Sequence, residues 1–187
     1  MILFWIWVLA FDGKEVPGTT AEAFTALYER FLPKVFRFVN YRISDTDTAE
    51  NLTSLVFEKA LTKFDTYKSD KAAFSTWVFS IARNAVTDHL RDRSKLQTVG
   101  LEHAESVSDG RLSPDEHVVR TEELQKLMDS IASLSGQEKE IIALKFGGEL
   151  TNRQIARNTG LSEPNVGTIV YRAVRKLRSS LMESRHG

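Results

Sequence analysis

Cysteine is absent from this 187-residue chain, which removes thiolate metal sites, disulfide frameworks and cysteine nucleophiles together. The four histidines, at 89, 103, 117 and 186, have neither the i, i+4 nor the short-loop spacing that would let two of them share a metal. No metal site is therefore expected, and the sequence calls for no cofactor. The chemistry that remains is that of cations and amides. Residues 151–187 carry seven basic side chains against two acidic ones, a net of +5, and residues 63–95 carry seven against four. Residues 96–125 oppose them with seven acidic against two basic. The whole chain balances at 25 Lys+Arg and 25 Asp+Glu, so its neutrality conceals a polarised layout that suggests a polyanion partner at the basic end.

Helices must position those charges, since hydrophobic residues recur at spacings of three and four and no strand alternation is evident. Phe24, Leu27, Phe31, Val35 and Phe38 define one buried helix face, with a kink or break expected near Leu32 because Pro33 lies inside it. Leu52, Val56, Phe57, Ala60, Leu61 and Phe64 define a second, preceded by capping material at Ser44 to Asp47. A third turns Phe74, Trp77, Val78, Ile81, Ala85 and His89 inward and leaves Ser80, Arg83, Asn84, Thr87, Asp88 and Arg91 on its polar side. Trp77 is read as core because it repeats in register with Phe74 and Ile81. Asp65 to Ala73 form a polar loop.

Later helix starts are marked by hydroxyl caps with an acid or amide three residues on: Ser113 with Glu116, Ser135 with Glu138, and Thr151 with Gln154. Gly147 and Gly148 are expected to stop the Ser135 helix, Gly160 to end the next, and Ser162 to cap the last. Ala156, Gly160, Leu161, Val166 and Ile169 have the sizes and spacing of a helix-turn-helix. Its second helix offers Ser162, Glu163, Asn165 and Thr168 to base edges near its start, and Arg172, Arg175, Lys176 and Arg178 to phosphates further along. A protein-binding helical hairpin with a solvated basic face is the bland alternative. The chain is accordingly read as all-α: an apolar extension at 1–20, a helical domain at 21–95, an acidic linker at 96–112 and a helix-turn-helix domain at 113–184.

The apolar run from Met1 to Phe11 is too short to span a bilayer and lacks a basic flank or cleavage site. It is read as an ill-defined start or a packed segment, with a hydrophobic tether as the sharper alternative. No stable membrane insertion is expected.

Two stretches in the first domain, AENLTSLVFEKAL (Ala49 to Leu61) and FSTWVFSIARNAVTDHLRDR (Phe74 to Arg93), resemble region 2 of the extracytoplasmic-function sigma factors of bacterial RNA polymerase. LSGQEKEIIALKF (Leu134 to Phe146) and LTNRQIARNTGLSEPNVGTIVYRAVRKLR (Leu150 to Arg178) resemble their region 4. The resemblance covers residues 23–95 and 113–182. It implies a cytoplasmic promoter-specificity subunit without catalysis of its own, whose partners are core RNA polymerase (the beta-prime clamp helices and the beta subunit), promoter DNA and an anti-sigma factor.

By the same resemblance, the helix from Ala49 to Leu61 grips the clamp helices through Glu50, Leu52, Val56 and Phe57, although Asn51, Ser54 and Leu55 replace the family's acidic and amide positions. The loop from Asp65 to Ala73 would hold a flipped base of the minus 10 element, with Arg83, Asn84 and Arg91 beside the non-template strand. The last helix would read the minus 35 element, with Gly167 and Ile169 standing where many relatives have basic residues. The linker would thread toward the RNA path. A stand-alone helix-turn-helix regulator and a purely protein-binding helical regulator are the competing functions.

Overall fold

The computed structural model describes residues 18–99, 130–131 and 133–183. The Met1 to Phe11 segment, the Ser113–Glu116 cap and most of the acidic linker lie outside them. Among the described residues the chain is helical and contains no strand, as the periodicity implies. Helices α1 (Gly18–Ile43), α2 (Thr46–Thr62) and α3 (Phe74–Val99) form the first module. Helices α4 (Gly136–Ile142), α5 (Asn152–Thr159) and α6 (Glu163–Glu183) form the second.

In the first module α1 runs through Pro33 unbroken, so of the kink or break expected near Leu32 the break does not occur. Proline removes one backbone donor, but Phe31, Val35, Phe38 and Val39 are all buried around it, and packing holds the helix through the gap. Asp45 caps α2 by accepting a hydrogen bond from the Thr48 amide at 2.9 Å. That helix buries Ala49, Leu52, Thr53, Val56, Phe57 and Ala60, with the Thr53 hydroxyl satisfied by the Ala49 carbonyl at 2.7 Å. Fully burying side chains such as Val56 and Phe57 contributes about 1.5–3 kcal/mol each. The edge-on contact of Tyr28 with Phe57, at 4.8 Å between ring centroids, adds direction to that packing. Helix α3 continues to Val99, four residues into the segment read as linker.

The second module follows its punctuation. Ser135 and Glu138 form a reciprocal capping box at the start of α4, and Thr151 and Gln154 form another at α5. Gly160 closes α5 in the left-handed region at φ +76°, and the Ser162 hydroxyl accepts from the Asn165 amide at 3.4 Å to begin α6. Val166 and Ala173 are buried, and Ala156, Leu161 and Ile169 pack around them as a helix-turn-helix requires. After Ile142 the helix does not simply stop at Gly147. Residues Ala143–Gly147 widen into a π-turn, with the Gly148 amide bonding back to the Ala143 carbonyl at 3.0 Å.

The two modules share one apolar core. Phe38 and Phe79 from the first and Ala143, Leu144, Leu150 and Ile155 from the second belong to a single cluster of buried residues. This corrects the expected inward face of α3. Phe79, Ala82 and Val86 are buried, whereas Trp77, Ile81 and His89 are only half-buried, because α3 is covered from two sides rather than one.

Candidate nucleic-acid interface

The end expected to read duplex DNA is built by local signals. Helix α6 emerges from the Gly160 turn with Ser162, Glu163, Asn165 and Thr168 all exposed on its first two turns. Thr168 donates its hydroxyl to the Pro164 carbonyl at 3.0 Å, and Glu163 lies 3.8 Å from Arg153 across the turn. Arg172, Arg175 and Lys176 are exposed two and three turns further along. Lys176 is not free: its ammonium sits 2.7 Å from Glu138 at the start of α4. That hydrogen bond, with those from Ser135, holds the Glu138 carboxyl below its usual range. A phosphate would have to compete with this carboxylate for Lys176. Gly167 and Ile169 leave a small, uncharged strip between the two groups.

The first module presents a different arrangement. Its loop from Asp65 to Ala73 begins with a 3₁₀ turn at Phe64–Thr66 and exposes Asp65, Thr66, Lys68, Ser69, Asp70 and Lys71. Beneath it lies an aromatic cluster that the spacing analysis understated. Tyr67 lies 5.1 Å from Trp77 and 5.5 Å from Phe74 between ring centroids, and its hydroxyl donates to the Ala72 carbonyl at 3.1 Å, folding the loop over. Trp77 packs on the core as read, yet stays half-buried, so this ring group is a partly open floor. Tyr67 escaped detection because one aromatic in a polar loop has no periodicity to betray it.

Of the three strand-side residues on α3, Asn84 is exposed and Arg91 is exposed but paired with Asp88 at 2.5 Å. Arg83 is elsewhere engaged. Its Nε lies 2.6 Å from the Glu140 carboxylate, and a terminal nitrogen donates to the Asn158 carbonyl at 3.0 Å, both in the second module. Nearby, burial pulls the Arg42 guanidinium below its ordinary pKa, with Glu140 opposing the shift and Arg83 adding to it.

The residues expected to grip polymerase divide by burial. Glu50 is exposed, but Leu52, Val56 and Phe57 face the core, with Val56 and Phe57 at 0% exposure. The apolar members of that sequence pattern are the underside of α2 and are turned into the core. On its outer side Glu50, Asn51, Ser54, Leu55 and Glu58 are exposed. Among the described residues no group of histidine, aspartate and glutamate side chains is arranged to hold a metal ion, and no helix is long and apolar enough to cross a membrane.

The family model for sigma-70 region 2 matches residues 27–96, and that for sigma-70 region 4 matches residues 124–177. The ECF RNA polymerase sigma factor SigC of Mycobacterium tuberculosis is 30% identical over 168 residues, covering 89% of this chain and 84% of that protein. The chain belongs to the ECF sigma factors. As such it is a transcription initiation factor of RNA polymerase that directs promoter recognition, and the stand-alone regulator is set aside. The ECF sigma factor BldN of Streptomyces coelicolor is 34% identical over 158 residues, with 84% of this chain matched to 60% of that longer protein. Among solved structures, the sigma factor RpoE of Bartonella quintana, crystallised with the anti-sigma factor NepR, shares the fold at a TM-score of 0.68. It is 24% identical, with 86% of this sigma factor and 98% of that chain covered.

Proposed function

We propose that this sigma factor divides promoter recognition between its modules, with α6 reading the minus 35 duplex and the loop over Tyr67 and Trp77 holding a base of the melted minus 10 strand. The observation that supports it most is the unobstructed start of α6, where short polar side chains project beside a left-handed turn while cations follow along the helix. Stacking on a partly open aromatic floor suits an unpaired base, and the exposed Asn84 and Arg91 suit its backbone. Core polymerase docks on the outer side of α2, through Glu50 and its exposed neighbours, with Leu52, Val56 and Phe57 fixing that helix from below. An anti-sigma factor is the expected restraint, the cytoplasm the expected location, and the chain has no catalytic role of its own.

Run-off transcription from a genomic library, with purified core polymerase in the presence and absence of the chain, tests the reading. Initiation at a discrete set of promoters only when both are present is expected; none at any promoter overturns it. Within such a promoter, Asn165→Ala or Thr168→Ala should redistribute preference among minus 35 variants by about 1–3 kcal/mol. Arg172→Ala should instead weaken all variants alike and lower the salt slope by about one.

A further inference from the structure

The turn between α4 and α5, which packs against α1 of the first module, contains an unusual backbone conformation. Glu149 lies at φ +56°, a left-handed region that a side chain with a Cβ seldom occupies without compensation. The compensation comes from the other module, where the Lys34 ammonium is 2.6 Å from one Glu149 oxygen and Arg37 binds the other. Arg37 also donates to the Gly147 carbonyl at 3.3 Å. Glycine at both preceding positions lets the chain approach the first module closely. A Cβ on Gly147 would meet the Phe38 amide nitrogen at 3.0 Å, and one on Gly148 would strike the Phe79 ring at 2.7 Å and the Leu144 carbonyl oxygen at 2.9 Å. Further along the same seam Glu140 and the Asn158 carbonyl hold Arg83, and Gln154 donates to the Ser75 hydroxyl at 2.7 Å.

We propose that Gly147, Gly148 and Glu149 form a catch that holds the unengaged sigma factor closed, with Arg83 withheld from the melted strand while the duplex-reading start of α6 stays open. The acids of the second module occupy the cations of the first as phosphates would, and the strained Glu149 backbone is released when the modules part. Polymerase therefore has to open the catch before minus 10 recognition, whereas contact with duplex DNA needs no opening. The masking half of this inference rests on the strand-binding reading of Arg83; the catch itself does not.

The absence of cysteine allows two labels to be placed cleanly, at Glu29→Cys on α1 and Ser179→Cys on α6, both exposed. Energy transfer in the free full-length chain should report one closed population. Glu149→Lys should shift most molecules to low transfer, and adding Lys34→Glu with Arg37→Glu should restore the closed signal. Gly148→Ala should also open the chain, while Gly136→Ala, whose Cβ would meet nothing within 4 Å, should not. Unchanged transfer in Glu149→Lys and Gly148→Ala, or a charge-swapped chain that stays open, overturns the catch.

Anisotropy of a labelled single-stranded minus 10 oligonucleotide tests the masking. The free Glu149→Lys chain should bind at least about tenfold more tightly than the free parent, and Arg83→Ala should abolish the gain. Equal binding by open and closed free chains overturns the masking. If binding rises on opening but Arg83→Ala does not reduce it, the strand-binding reading of Arg83 fails while the energy-transfer result on the catch stands.

Discussion

The two modules reach their folds by different means. In the second, each helix end is written into a short stretch of chain: a hydroxyl, an acid or amide three residues later, a glycine where the backbone turns left. In the first, α1 runs 26 residues through a proline, and α3 runs 26 with no comparable stop before Val99. Its shape comes from burying Phe38, Val56, Phe57 and Phe79 completely. The second module satisfies its helix ends from within and leaves Ser162, Asn165 and Thr168 exposed at the start of α6. The first, built from packing, needs covering, and here the covering module also takes up a cation, Arg83, that the first would otherwise present.

Sharpening that contrast starts at the residue both modules share. Phe79→Ala removes a fully buried ring that contacts Phe38 at 5.6 Å and seats Gly148, and it should cost about 3–5 kcal/mol in urea denaturation. If the modules are joined as described, the loss should appear in probes placed in either one. A loss confined to the first would break the picture of a common core.

Next in size is Thr151→Ala, which removes the α5 capping box and should cost about 1 kcal/mol. The effect should appear as faster amide hydrogen exchange in the first turn of α5, with little change in exchange along α1 or α2 below the global unfolding limit. Exchange that rises equally in α1 and α2 would mean that the second module is not the locally determined one.

Smallest is the response to acid. Hydrogen bonding to Lys34 first, then the charges of Lys34 and Arg37, hold the Glu149 carboxyl below its usual range when the modules meet, with desolvation opposing. Parting returns it toward an ordinary value near ~4.3. The depressed group stabilises contact fully above that ordinary value, and the contribution is lost as pH falls through the depressed one. Energy transfer between α1 and α6 should thus be flat from about pH 8 to 6 and fall below roughly 4.5, with Glu149→Gln removing the Glu149-dependent part of that fall. A Glu149→Gln chain that shows the whole fall would assign it to other carboxyls, Glu138 and Asp45 among them, which are also held low but within a single module.

What the sequence made legible follows the same divide. Both described capping boxes, the Gly160 turn, the Ser162 cap and the exposed set on α6 stand where spacing put them, because each depends on neighbours within four residues. Leu52, Val56 and Phe57 were legible as one helix face, yet a pattern alone does not say whether that face meets the core or a partner. Phe79, Ala82 and Val86 fell outside the expected face of α3 because α3 is covered from more than one side, Phe79 by Phe38 of α1 and by Gly148 of the second module, and periodicity within one helix shows neither. Glu149 was illegible for the same reason, since its left-handed backbone is held by side chains on α1.

The π-turn at Ala143–Gly147 carries one residue more than an α-helical turn would accommodate. Each residue of an α-helix advances the chain by about 100°. Loss of a single codon here should let the turn tighten and rotate the glycines and Glu149 relative to α1, while the exposed residues at the start of α6 stay as they are. Under the proposed catch, one deletion rather than a series of point changes would turn a self-closing sigma factor into one that stands open.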